Sequence, residues 1–231
     1  MRIENCLGTT IEDVTSKKFN IWIGISLGNK YFTRENIREY ILWALDNTKD
    51  DVLVVIADSL YEIKLEVLDK YSKLRAFKVA SRLGDIKAKE IEEAISSLSD
   101  EKRKLIKIVR FGEVLNTKHY DDSLELITEF YKTNKEFNEY ILNIVKEIYK
   151  NSPQTLTLVK IDKLAEYALR EIPVYINGCY FDEKCYSATI YPGLGLIDKL
   201  IIGLHKGSLF PELANKLKVH NDIAIVDGYV N

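Results

Sequence analysis

The segment FNIWIGISLGNKYFT, Phe19 to Thr33, decides the fold. Its apolar run Ile21, Trp22, Ile23, Gly24 and Ile25 stops at Ser26, and Leu27, Gly28 and Asn29 follow. A short apolar run closed by turn residues is the pattern of a parallel strand buried on both faces. From Thr33 through Ala44 the period changes. Ile37, Tyr40, Ile41 and Ala44 fall three and four apart, which predicts a helix. Ser26 therefore stands at the C-terminal end of a first strand, at the mouth of a strand-loop-helix unit. In an open α/β sheet that edge is where ligands bind. A hydroxyl flanked by Gly24 and Gly28 can be approached closely by a substrate. The same residues also fit a plain tight turn in which Ser26 only caps the helix region.

Outward from this unit, strands and helices alternate. Val52 to Ala57 reads as a second strand ending at Asp58, followed by a helix from Leu60 to about Tyr71. A long helix is expected from Lys73 to Ser97, with Gly84 as a candidate kink. Lys104 to Arg110 reads as a third strand closed by Gly112. Leu124 to Tyr131 and Glu136 to Tyr149 have amphipathic helical spacing, and Asn151, Ser152 and Pro153 break the chain. A helix from Ile161 to Glu171 is expected to end near Pro173, with a short extended piece at Val174 to Ile176. Ser187 to Ile190 is a fourth strand closed by Tyr191-Pro192-Gly193, Ile197 to Leu204 is helical, and Asp222 to Asp227 is the last strand. This alternation predicts an α/β protein: a Rossmann-like open parallel sheet of about five strands with helices on both faces and right-handed crossovers.

Composition bounds the function. The 231 residues carry no linker and no internal repeat, so residues 1–231 read as a single domain. Hydrophobic residues at 46% and charged residues at 29% are ordinary for a globular protein. A net charge of −2 argues against a generic nucleic-acid coat and leaves room for a local basic face. No apolar stretch has the length of a signal peptide core or a membrane span. Cys6, Cys179 and Cys185 form no metal-ligand pattern, and His119, His205 and His220 are scattered. A reduced, cytoplasmic protein with no membrane partner, no metal and no obligatory protein partner is expected.

Three constellations could carry chemistry. Gly24-Ile25-Ser26-Leu27-Gly28 matches G-x-S-x-G, the nucleophile elbow of α/β hydrolases. That reading needs an acid and then a histidine. Asp222 follows both His205 and His220, although Asp198 precedes them, and the hydrolase serine normally follows several strands rather than the first. Neither G-x-G-x-x-G in this loop nor a phosphate-binding G-x-x-x-x-G-K-[ST] is present. Second, Tyr167 and Glu171 are four apart on one helical face, where a phenol and a carboxylate can hold an ammonium between them or form an ordinary surface pair. Third, Tyr191-Pro192 follows the fourth strand on the same sheet edge as Ser26, either as a proton relay or as a packed aromatic.

Together these pieces resemble the cyclodipeptide synthases. Gly24-Ile25-Ser26 matches that family's G-[LVI]-S segment, and Tyr167-Ala168-Leu169-Arg170-Glu171-Ile172-Pro173 matches its Y-[LVI]-x-x-E-x-P, with Ala168 at the aliphatic position. Gly28-Asn29-Lys30-Tyr31-Phe32 and Tyr191 also look like the family, and order, spacing and length agree over essentially the whole chain. One branch of the family has asparagine shortly after the serine, and the other has proline after the late tyrosine. This sequence has both Asn29 and Pro192.

The resemblance implies a fold similar to the catalytic domain of class I tyrosyl- and tryptophanyl-tRNA synthetases. It implies that two aminoacyl-tRNAs are joined into a 2,5-diketopiperazine without ATP, metal or other cofactor. Ser26 would take the first aminoacyl group, Tyr167 and Glu171 would hold its ammonium, Tyr120 would support that ammonium, Asn29 the serine loop, and Tyr191 ring closure. A basic helix would bind the tRNA, here Lys73, Arg75, Lys78, Arg82, Lys87 and Lys89, a stretch that also reads as a solvated face. The pocket for the first side chain would be lined from the first two strand ends, by Trp22 and Gly24 and by Val54, Ile56 and Asp58. Asp58 in that pocket predicts a polar, donor-bearing first residue such as histidine, unless it caps the following helix. A serine hydrolase and a non-catalytic tRNA-binding module are the competing classes. The first needs a histidine, and the second needs neither Ser26 nor Glu171.

Overall fold

The structure is a computed structural model that describes residues 1–115, 117–151, 156–217 and 222–230. In chain order the elements are β1 (Arg2–Leu7), α1 (Ile11–Thr15), β2 (Ile21–Ile25), α2 (Arg34–Asn47), β3 (Val52–Ile56), α3 (Asp58–Val67), α4 (Lys73–Ile95) and α5 (Asp100–Lys104). Then come β4 (Ile106–Arg110), α6 (Phe111–Val114), α7 (Lys118–Thr133), α8 (Lys135–Ile148), α9 (Leu158–Asn177), β5 (Cys179–Phe181) and β6 (Lys184–Tyr186). The chain closes with β7 (Ala188–Tyr191), α10 (Leu196–His205), α11 (Pro211–Leu217) and β8 (Ala224–Tyr229). The main sheet has six strands in the order β1-β8-β7-β2-β3-β4.

Five of those strands, β8-β7-β2-β3-β4, run parallel as the alternation predicts. The sixth, β1, is antiparallel to β8 at the edge. Its sequence RIENCL has too few apolar residues to announce a strand, and its pairing with β8 supplies the missing partner. The expected first strand is thus the second in the chain. The β5-β6 hairpin was not expected either. Its turn residues Asp182 and Glu183 both have positive φ, as a tight two-residue hairpin loop requires.

Parallel register determines which side chains share a face. Trp22 pairs with Leu53 and Gly24 with Val55, while Ile23 pairs with Val54 and Ile25 with Ile56. Ile23, Ile25, Val54 and Ile56 face α2 and α4 in one sealed core, each with no solvent exposure. Trp22, Leu53, Val55 and Ala57 face the other way, toward α3, α7 and α9. Burying a side chain of this size contributes about 1.5–3 kcal/mol, so a one-residue slip of register would forfeit both cores.

The expected helix end at Pro173 is wrong. α9 continues to Asn177, so Val174 to Ile176 are helical. Proline removes one intrahelical bond, but Ile172, Val174 and Ile176 are all buried, and that packing outweighs the loss. Gly178 ends the helix at φ +81, where a side chain would meet Cys185 Sγ. α4 runs through Gly84 as one continuous helix. A methyl there would fall 2.3 Å from Arg110 Cζ, so the glycine admits a guanidinium. The expected break at Ser152 and Pro153 lies outside the described residues, as does His220.

Candidate active site

The parallel strands β2 and β7 end side by side, and their C-terminal loops open on a cavity of about 850 Å³. β2 delivers Ser26, which follows its last residue, and the loop turns back through a bond from the Asn29 amide to the Ser26 carbonyl at 3.2 Å. The Asn29 side chain is held twice more. Its Oδ1 accepts from the Tyr31 amide at 3.0 Å, and its Nδ2 donates to the Tyr191 hydroxyl at 3.1 Å. Asn29 and Tyr191, 162 residues apart, are therefore one unit across the mouth of β2 and β7. Gly24 leaves room for the Trp22 ring, since a methyl there would lie 3.1 Å from Trp22 Cζ3.

α9 supplies the opposite wall. Thr157 caps its start by accepting from the Lys160 amide, and the helix presents Tyr167, Ala168, Glu171 and Tyr175 to the cavity. Tyr175 was not foreseen. One turn beyond Glu171, and past the proline at which the helix was expected to stop, it packs edge-on against Trp22 with centroids 5.0 Å apart. Continuing the four-residue spacing Tyr167-Glu171 would have found it. Ser26, Tyr167, Glu171 and Tyr191 thus meet in one cavity. Ser26 lies close enough to Tyr167 and Tyr191 to oppose, as the smallest of the causes, the upward shift of both phenols.

Burial governs the charges. It pushes the Tyr167 and Tyr175 phenols well above their ordinary value, with Glu171 adding to the effect in both. Burial raises Tyr191 as well, opposed by its bond with Asn29. Burial, and next the Asp198 carboxylate, push the Glu171 carboxyl up to about 8. Asp198, weighed in the sequence only as the acid of a hydrolase, is buried at the start of α10, where it accepts from the Gly195 amide at 2.7 Å. Glu171 and Asp198 on the wall of one cavity favour a cation. An arriving ammonium would pull the Glu171 carboxyl back into its charged form.

Several expected site residues lie elsewhere. Val54 and Ile56 do not line the cavity, because register turns them into the sealed core; Val55 and Ala57 take that place. Asp58 is absent from the wall too. It opens α3, and its Oδ2 accepts from Arg110 Nε at 2.9 Å, while Ala57 rather than Asp58 is the cap residue. The same guanidinium donates to the Ser81 carbonyl at 2.7 Å through Nη2 and so ties α3 to α4. The expectation of a polar first substrate residue falls with Asp58. Tyr120 is buried, and its hydroxyl donates to the Arg170 carbonyl at 3.2 Å, beside the proline turn of α9. It positions that helix instead of facing the cavity. On α4, Lys73, Arg75, Lys78, Arg82 and Lys89 are exposed, and Arg75 lies 4.1 Å over the Tyr71 ring. Lys87 is taken: it donates to the Phe32 carbonyl at 3.1 Å and pairs with Glu90.

The comparisons with known proteins follow from this geometry. The family model described as cyclodipeptide synthase matches residues 5–205. The chain belongs to the cyclodipeptide synthase family. Membership makes it one of a family of enzymes that form cyclodipeptides, with a Rossmann-like sheet. Among solved structures, a synthase of this family from Staphylococcus haemolyticus superposes with a TM-score of 0.75 at 20% identity, covering 96% of this chain and 97% of that one. A Mycobacterium tuberculosis protein, described as showing that these enzymes are related to type I tRNA synthetases, gives 0.70 at 18% identity over 93% and 87%. A synthase from Candidatus Glomeribacter gigasporarum, bound to Phe-tRNAPhe, gives 0.59 at 15% identity over 92% and 88%. At these identities the superpositions establish the fold. No curated protein matches the chain in sequence. Among the described residues no helix is long and apolar enough to cross a membrane.

Proposed function

We propose that this chain makes a 2,5-diketopiperazine from two aminoacyl-tRNAs through an aminoacyl ester on Ser26. The observation that carries this reading is the meeting of Ser26, Tyr167, Glu171 and Tyr191 in one cavity. Ser26 Oγ attacks the ester carbon of the first aminoacyl-tRNA, and the ribose hydroxyl leaves with the proton. Tyr167 and Glu171 hold the α-ammonium of the acyl group. The amine of a second aminoacyl-tRNA attacks the seryl ester, forms the peptide bond and returns the proton to Ser26. The first residue's amine, freed when its ammonium gives up a proton, then attacks the remaining tRNA ester beside Tyr191; the ring closes, and the ribose hydroxyl of the second tRNA leaves with the amine's proton. Splitting the reaction into acyl transfers avoids bringing three bodies together at once. Each ester is already activated, so the reaction as proposed uses no ATP, metal or other cofactor.

The exposed cations of α4, Lys73, Arg75, Lys78, Arg82 and Lys89, supply a charge-driven contact for tRNA phosphates. The Phe-tRNAPhe bound by the Candidatus Glomeribacter relative supports a tRNA partner. For the first side chain, the wall beside Ser26 is formed by Trp22, Val55, Ala57, Phe111 and Tyr175, which favours an apolar residue over histidine. A hydrolase is disfavoured because no histidine of the described residues lines the cavity. Incubation with radiolabelled aminoacyl-tRNAs tests the reading: the protein should carry label, and mass spectrometry should detect a diketopiperazine. Absence of both with every aminoacyl-tRNA would overturn it.

A further inference from the structure

The cavity mouth carries two cations that the reading above leaves without work. Lys30 and Lys64 both line the cavity that holds Ser26 and Glu171. Neither makes an ion pair among the described residues, unlike Lys87, which is paired with Glu90. Lys30 lies on the exposed part of the Ser26 loop. Lys64 reaches that loop from the last turn of α3. A methyl on Gly28 would lie 3.1 Å from its Nζ and 3.1 Å from Tyr61 Cε2. Its ammonium sits 4.8 Å from the centroid of the Tyr61 ring, which also lines the cavity. Gly28 is thus the point where the nucleophile loop, a lysine and an aromatic ring come together, two residues from Ser26. Asp69 shares the cavity wall, and the other carboxyls of the cavity are Glu171 and Asp198.

The substrate chemistry fits this mouth. In aminoacyl-tRNA the reacting ester is on the 3′-terminal ribose, and the phosphodiester on the 5′ side of that ribose lies one sugar away. When Ser26 Oγ reaches the ester carbon, that phosphate must sit near the Ser26 loop. We propose that Lys30 and Lys64 form a binding site for the terminal phosphodiester of aminoacyl-tRNA, with Tyr61 holding the Lys64 ammonium in place. This rests on the synthase reading and adds a site distinct from the basic face of α4. The α4 cations draw the body of a polyanion by charge. The mouth pair aligns the one phosphate whose position relative to the ester is determined by covalent geometry.

The test uses two small substrates, a 3′-O-aminoacyl adenosine and the same compound with a 5′-phosphate. Neither can reach the α4 face in the way tRNA can. The readout is the rate of Ser26 acylation by each. Wild-type protein should prefer the phosphorylated compound by roughly 10–100-fold, the scale of one or two charge-assisted contacts. The pair Lys30→Met and Lys64→Met should reduce that preference to within about threefold, and Lys64→Arg in place of Lys64→Met should restore much of it. A double variant that keeps the wild-type preference would overturn the proposal. So would a wild type with no preference, or equal losses on both compounds. Failure of the synthase reading itself is a separate result: no acylation of the wild type by any aminoacyl-tRNA.

Discussion

The two faces of the β2-β3 pair are made from the same few residues and do opposite work. On one, Ile23, Ile25, Val54 and Ile56 are sealed under α2 and α4. On the other, Trp22, Gly24, Val55 and Ala57 line the cavity beside Ser26. Apolar content does not separate them, since both faces are hydrophobic and almost fully buried. What separates them is the cover. Helices α2 and α4 close tightly over the first face, with Ala44, Ala94 and Ile91 against the strands, whereas α9 stands off the second and leaves about 850 Å³. Emptiness on one side of a sheet is a property of helix placement, and it turns ordinary core positions into the lining of a cavity.

The comparison breaks most visibly at Ser26. Ser26→Ala should abolish covalent labelling and lower diketopiperazine formation by about a thousandfold or more, with thermal stability near wild type. Equal labelling of both proteins would remove Ser26 from the reaction. Next come adjacent residues on opposite faces. Ile56→Ala should cost roughly 2–5 kcal/mol in denaturant unfolding and leave the identity of the product alone. Val55→Phe should cost about 1–3 kcal/mol and shift the first residue toward smaller side chains. A product shift from Ile56→Ala, with none from Val55→Phe, would reverse the assignment of the faces.

A smaller effect is expected at Asp58. Replacing it with leucine leaves Arg110 only the exposed Asp85 carboxylate and should cost about 1–3 kcal/mol while the product spectrum stays as it was. A changed spectrum would return Asp58 to the substrate pocket. The last effect, absent near pH 4 and appearing only as pH rises, concerns Glu171. Its carboxyl is raised from 4.5 to about 8 in the folded protein, so the native state holds a proton that the unfolded chain releases. Stability should therefore fall as pH rises from about 4.5 to 8. Glu171→Gln removes that loss. Its melting temperature should match wild type near pH 4 and exceed it above pH 8, by roughly 2–4 °C for each kcal/mol relieved. A constant difference across that range would show that Glu171 is not held protonated.

Much of this architecture was legible before any coordinates. Five strands with the serine at a strand end follow from apolar runs closed by turn residues, because a strand buried on both faces cannot hide its composition. The edge strand β1 escaped notice because half of its residues face water, and its identity as a strand comes from hydrogen bonds to β8. The end of α9 was misplaced for a related reason. Proline disfavours a helix interior by a local rule, and only the packing of Ile172, Val174 and Ile176 against the rest of the molecule overrides it.

By itself the sequence singled out Ser26, Tyr167, Glu171 and Tyr191 as candidates, through the resemblance of its short motifs to the cyclodipeptide synthases and not through spacing alone, and the four line one cavity. The tertiary structure alone decided what surrounds them. Period-two alternation says that Val54 and Ile56 share a face, yet which face depends on the partner strand's register and on where the helices lie. The resemblance assigned Asp58 and Tyr120 to the site, but Asp58 is claimed by Arg110 and Tyr120 by the Arg170 carbonyl. Those partners lie 52 and 50 residues away in the chain, and a polar group's role is set by whichever partner reaches it first in space.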